Sequence, residues 1–104
     1  MMKNGRPYSI ENGSIDDALI TDHSQDDINL VCNWIRNNII PRKTPLYGYS
    51  SYKLKHIFEH DTKLYLTNNE FKDAMLMCGY SPVNANELNW EYCISKKSPA
   101  LLRK

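Results

Sequence analysis

His56, Glu59 and His60 spell HxxEH, the letter pattern of an inverted zinc-protease helix, in which two histidines one turn apart could both touch a metal. Such enzymes need a third ligand and a substrate cleft, and a chain of 104 residues has room for a modest core but little enclosed cavity besides. A solvent-facing polar helix accounts for the three residues. Cys93 with a histidine would make a nucleophile and its base, yet nothing in the sequence supplies an oxyanion hole or an orienting acid. There is no P-loop, no GxGxxG and no carboxylate pair with a cleft to work in. The expectation is therefore a protein that is not an enzyme, with no cofactor and no metal ligands.

Nucleic-acid chemistry has more residues in its favour. Asn68, Asn69 and Lys72 lie off the apolar stripe of one helix, with Asp73 and Met77 beside them. Amides near a helix start can read base edges while a lysine meets phosphate. Arg42, Lys43, Lys53, Lys55, Lys96, Lys97, Arg103 and Lys104 would supply a phosphate-facing rim around that helix. Glu70 and Asp73 on the same helix oppose phosphate, and asparagine is also an ordinary first-turn residue. Tyr47, Tyr49 and Tyr52 cluster nearby, able to stack on bases or on a protein partner, or to edge a core.

The elements that must carry these residues are legible in the hydrophobic pattern. Thr67 and Glu70 form a TxxE capping box, Phe71, Ala74, Met75 and Cys78 fall on one stripe, and Gly79 offers a left-handed C-cap. Ser24 caps an earlier helix whose stripe is Ile28, Val31, Cys32, Ile35 and Ile39, with Trp34 at its edge and Pro41 as its stop. A third helix starts at Ser50 or Ser51 and turns Leu54, Ile57 and Phe58 inward. The spacing predicts helices over 24–40, 50–61 and 67–79, a loop over 41–49, and a short strand over 63–66. Leu88, Trp90, Tyr92 and Ile94 alternate with polar positions, so residues 80–95 read as a β-hairpin. The fold class expected is α+β, a winged helix-turn-helix of three helices and a C-terminal hairpin, with Ile28, Val31, Ile35, Leu54, Ile57, Phe58, Phe71, Met75 and Trp90 in its core.

Charge divides the chain. Residues 1–28 carry two basic and six acidic side chains, net −4, and residues 29–104 carry eleven and six, net +5. Three segments are expected: an acidic, partly ordered arm over 1–22 with at most one helical turn at 14–20, a folded domain over 23–95, and a basic tail over 96–104 held only by Leu101 and Leu102. Cys32, Cys78 and Cys93 are odd in number and lack zinc or disulfide spacing, which reads as reduced core cysteine. No apolar run is long enough to span a membrane and the first residues lack a signal-peptide core, so the expected place is the cytoplasm.

From Arg42 onward, the blocks PRKTPLYGYSSYKLKHIFEHD, YLTNNEFKDAMLMCGYSPVN and ELNWEYCISKKSPA resemble small proteins from prophages and mobile elements of Firmicutes. YLTNNEFKDAMLMCGY followed by NWEYCI is similar, more loosely, to the winged-helix module that closes phage primase-helicases, with Phe71, Ala74, Gly79, Tyr80 and Trp90 at its core and turn positions. The resemblance implies a phage setting and a wing-like fold. The function expected is a nucleic-acid-binding accessory protein acting on double-stranded DNA in replication or regulation. The alternative is a phage inhibitor of a host factor such as a CRISPR or other defence nuclease, with the acidic arm and tyrosine loop as its interface.

Overall fold

The computed structural model describes residues 1–102, so Arg103 and Lys104 of the expected basic rim lie outside the described residues. Helices α1 (Gln25–Asn38), α2 (Ser51–Thr62) and α3 (Asn68–Met77) form the body, with a short closing helix α4 (Pro99–Leu102). Strands β1 (Met2–Lys3), β2 (Arg6–Pro7), β3 (Ser9–Glu11) and β4 (Ser14–Asp16) precede them, and β5 (Pro41–Leu46) pairs with β6 (Tyr92–Ile94). The α+β class is as expected from the sequence.

Local chemistry explains where the helices start and stop. The Ser24 side chain accepts from the Asp27 amide at 3.2 Å, and Asp26 and Asp27 sit at the positive end of the α1 dipole. At the start of α3 the capping box is complete: the Glu70 amide donates to Thr67 Oγ1 at 3.1 Å and the Thr67 amide to Glu70 Oε1 at 2.8 Å. The same helix ends in a Schellman turn, with the Tyr80 amide on the Met75 carbonyl at 2.9 Å and the Gly79 amide on Leu76 at 3.0 Å. Gly79 takes φ of +92°, which only glycine adopts without strain.

Trp34, Phe58 and Phe71, one from each long helix, meet edge to face or tilted, with centroid separations of 5.4, 6.0 and 6.3 Å. Around them lie Val31, Ile35, Leu54, Leu66, Met75, Trp90, Tyr92 and Ile94, all buried. Trp34 is therefore central to the core, not at its edge, and its indole N–H donates to Asp61 Oδ2 at 2.8 Å. Ile28 and Ile57 are only half-buried and flank this cluster.

Four expectations are corrected. Residues 80–91 hold no strand, so the C-terminal hairpin is absent; Pro82 lacks an amide to pair, and the chain instead turns so that Trp90 Nε1 meets the Ala85 carbonyl at 3.1 Å. Only Tyr92–Ile94 pairs, and it pairs with the segment read as a loop, in the antiparallel register Pro41 to Ile94 and Leu46 to Tyr92 with a bulge between. Two prolines concealed β5 in the sequence, yet an edge strand tolerates residues that cannot donate. Residues 63–66 are not a strand, because Lys63 takes a left-handed φ of 65° that closes α2 and its amide bonds the Glu59 carbonyl.

The fourth correction concerns both ends. The first sixteen residues are ordered as two antiparallel hairpins, β1–β2 and β3–β4, each turned by an Asn-Gly pair with both residues at positive φ. Residues 20–22 make a 3-10 turn in place of a helical turn at 14–20. The tail is folded too: Ser98 is buried, its hydroxyl accepts from the Ile40 amide at 2.9 Å, and Ala100 and Leu101 pack into the core while Leu102 faces solvent.

The Tyr92 hydroxyl is buried without a hydrogen-bond partner among the described residues, and burial pushes its phenol pKa up. Tyr92→Phe should leave unfolding free energy unchanged or raise it by up to about 1 kcal/mol in urea titration, since no bond is lost. A loss above about 1 kcal/mol would mean that the hydroxyl has a partner.

Candidate binding surface

The outward face of α3 is not free to read a groove. Asn69 is fully buried: its Nδ2 donates to the Pro7 carbonyl at 3.0 Å and the Ala18 carbonyl at 2.8 Å, and its Oδ1 accepts from the Ser9 hydroxyl at 3.1 Å. Lys72 is equally buried, donating to Ser9 Oγ at 2.8 Å and the Leu88 carbonyl at 3.0 Å, with its ammonium 4.5 Å from the Trp90 ring centre. Burial lowers its pKa to about 8. Asp73 takes a bidentate bond from Arg6 at 2.9 and 2.7 Å and the Ile20 amide at 3.0 Å. His23 bridges Asp27 Oδ2 at 3.0 Å and Glu70 Oε2 at 2.7 Å, and these carboxylates, Asp27 before Glu70, raise its pKa.

Asn68 completes the pattern at the start of α3. It is half-buried, accepting from the Ser51 hydroxyl at 2.9 Å and donating to Asn89 Oδ1 at 2.9 Å, so it staples α2, α3 and the following loop together. Asn69 and Lys72, assigned above to an outward base-reading face, hold the N-terminal arm instead. The two helix faces are both occupied, one by apolar core and one by the arm.

The expected basic rim is divided. Arg42 folds back on its own bulge, with Nε on the Thr44 carbonyl at 2.8 Å and Nη2 on the Pro45 carbonyl at 2.6 Å. Lys55 is buried against Glu59 at 3.0 Å. Lys43, Lys53, Lys96 and Lys97 are exposed: Lys43 on β5, Lys96 and Lys97 in the turn after β6, and Lys53 on α2 with its ammonium 5.0 Å from the Tyr49 ring and 3.5 Å from the Gly48 carbonyl.

A different surface carries aromatic and basic groups together. Tyr52, His56 and His60 follow at i, i+4 and i+8 along α2, all exposed, and the Tyr52 and His56 rings meet edge to face at 4.4 Å. Tyr65, 68% exposed, shares this side, because the Lys55 ammonium lies within 5.7 Å of the Tyr52 ring and 4.9 Å of the Tyr65 ring. Lys53 and Lys63 stand exposed at the two ends of the helix, and Tyr47 on the loop before it is 64% exposed.

The neighbouring carboxylates have internal tasks. Glu59 holds Lys55, His56 at 3.2 Å and the Leu66 amide at 3.1 Å; Asp61 accepts from Trp34; Glu91 accepts from the Gly48 amide at 2.9 Å. The HxxEH residues are spent here as helix-surface contacts, and among the described residues no group of three or more His, Cys, Asp or Glu converges as metal ligands do. The signal for this surface is the spacing 52, 56, 60: Tyr52 is legible in the sequence as a stacking ring and His56 and His60 as a metal pattern, and the helical repeat joins them.

The cysteines are free thiols. Cys78 and Cys93 line an open depression of about 400 Å³ with Arg42 and Tyr80, and none of the histidines joins them there. Burial, then contact with Cys32, pushes the Cys78 thiol up to about 12, so it stays protonated near neutrality. No helix among the described residues is long and apolar enough to cross a membrane. No protein-family model, curated protein or solved structure matches the chain.

Because Asn69 and Lys72 support the arm, the double variant Asn69→Ala, Lys72→Ala should lower stability by at least about 2 kcal/mol, through orphaned arm carbonyls and a lost packing stem. Wild-type stability in chemical denaturation would show that the arm is not held there. The lowered Lys72 pKa means the unfolded chain binds the extra proton between about pH 8 and 10.5, so stability rises with pH across that window. Lys72→Met should abolish the rise. The raised His23 pKa has the opposite sign: its contribution is full below pH 6.5 and fades as pH climbs through the folded value, a fall that His23→Gln should remove.

Proposed function

We propose that this chain is a nucleic-acid-binding accessory protein of a prophage or other mobile element, and that its contact face is the outer side of α2 with its flanking lysines. The setting rests on the resemblance of the blocks from Arg42 onward. The finer architecture fits this reading as a winged-helix-like order of helix, strand, two helices and strand, without the hairpin wing.

One observation carries the reading: the exposed ammonium groups of the α2 side are those of Lys53, beside the Tyr49 ring and the Gly48 carbonyl, and Lys63, while Glu59, Asp61 and Glu91 are engaged by the fold. Phosphate is repelled by carboxylates, and six of the chain's twelve lie in residues 1–28. Lys43 on β5 and Lys96 and Lys97 in the turn after β6 are further exposed cations.

A protein partner is the second reading, favoured by one feature of the arm. Pro7, Tyr8, Ile15 and Leu19 line an open groove of about 470 Å³, and Ile15 beside it is 68% exposed. That face suits an inhibitor of a host factor, and it is separate from the α2 stripe.

Fluorescence anisotropy of labelled oligonucleotides over a salt series separates the readings. Binding should weaken linearly in log K against log salt, and Lys53→Ala with Lys63→Ala should reduce the slope by roughly one to two. No binding at low salt would contradict the nucleic-acid reading.

A further inference from the structure

We infer that the strand bound at the α2 face is single-stranded, its bases stacking on Tyr52 and Tyr65 and its backbone lying along Lys53 and Lys63. This rests on the nucleic-acid reading above and names the substrate class of the same site.

The rings of this surface are held in place from below while their outer parts meet solvent. Tyr52 is 51% exposed and is fixed by the edge of His56 at 4.4 Å, and His56 is fixed in turn by Glu59 at 3.2 Å. Tyr65 is pinned over the Lys55 ammonium, which also sits beneath Tyr52 and is locked by Glu59. Lys55 is buried, so its role is to fix the two tyrosines and not to meet phosphate. Aromatic side chains ordered before binding lose little entropy when a base settles on them. Stacking on such rings accepts any base, because every base has a π-face.

The geometry is wrong for a duplex. Reading a major groove needs a helix or ribbon whose polar side chains reach base edges, and the Asn69 and Lys72 side chains of α3 are buried under the arm. A base that lies flat on the ring of Tyr52 or Tyr65 must leave its own stack and its pairing partner, which a single strand permits and a paired one does not.

The test uses the full chain and two fluorescein-labelled probes at one low salt concentration: a mixed-sequence single strand of about fifteen nucleotides and a blunt duplex of equal length, sized to the site of one small domain. Single-strand binding should be at least roughly tenfold tighter, and Tyr52→Ala and Tyr65→Ala should each weaken it by roughly five- to a hundredfold with the salt slope kept. Tyr52→Phe, which keeps the ring, should bind nearly as wild type, and circular dichroism checks that each variant is folded. Equal or tighter duplex binding overturns the single-strand inference and leaves nucleic-acid binding standing. Binding to neither probe overturns both. Alanine variants that bind as wild type overturn the stacking assignment, as does a Tyr52-dependent complex with a protein in place of either probe.

Discussion

Helix α3 is buried on both sides, and the second side is polar. Lys72, Asn69 and Asp73 could not be removed from water without partners, since an unmatched buried amide, ammonium or carboxylate costs far more than a hydrogen bond returns. The arm supplies those partners through Ser9, the Pro7 and Ala18 carbonyls, the Ile20 amide and Arg6, residues 51 to 67 positions away in the chain. The two Asn-Gly hairpins give the arm a fixed shape that can present these groups. A helix whose Asn68, Asn69 and Lys72 are residue types able to read bases thereby becomes the central beam of the molecule.

That constraint decides which surface is left for work. With α3 enclosed between core and arm, α1 and α2 are the long helices that keep a side open to solvent, and of the two only α2 exposes aromatic rings on it. Its roll is set by Leu54 and Phe58 facing inward, by the edge-to-face contact of Phe58 with Trp34, and by Ser51, which accepts from the Trp90 amide at 3.0 Å. Tyr52, His56 and His60 point outward as a consequence. Acidic charge collects in the arm, while the basic excess of residues 29–104 is spread along the rest of the chain, with Lys53 and Lys63 at the two ends of α2.

Much of the framework was legible from short-range signals. The Thr67–Glu70 capping box, Ser24, the Gly79 stop and the apolar stripes of the three long helices depend on residues within a turn of each other, and the structure has them where the spacing put them. The hairpins were legible too, since Asn4-Gly5 and Asn12-Gly13 are strong turn signals that a reading based on polar composition passed over. Strand β5 was masked by Pro41 and Pro45, and alternation around Trp90 looked like a second strand where the chain only turns. The buried polar face of α3 was not legible. Asn69, Lys72 and Asp73 read as solvent-facing because their partners lie in a segment whose own sequence looked unstructured. Of the residues assigned to binding, Lys43, Lys53, Lys96 and Lys97 are exposed, whereas Asn68, Asn69, Lys72 and Arg42 are committed to the fold.

Amide hydrogen exchange, read residue by residue, tests most directly whether the arm is part of the folded unit. The Ile20 amide, bonded to Asp73, and the cross-strand amides of the two hairpins should exchange slowly, with Ile20 approaching the protection of Phe71 and Ile35 in α3 and α1. Free exchange of Ile20 and the hairpin amides, beside protected helices, would contradict the account, because the polar face of α3 would then be open to solvent.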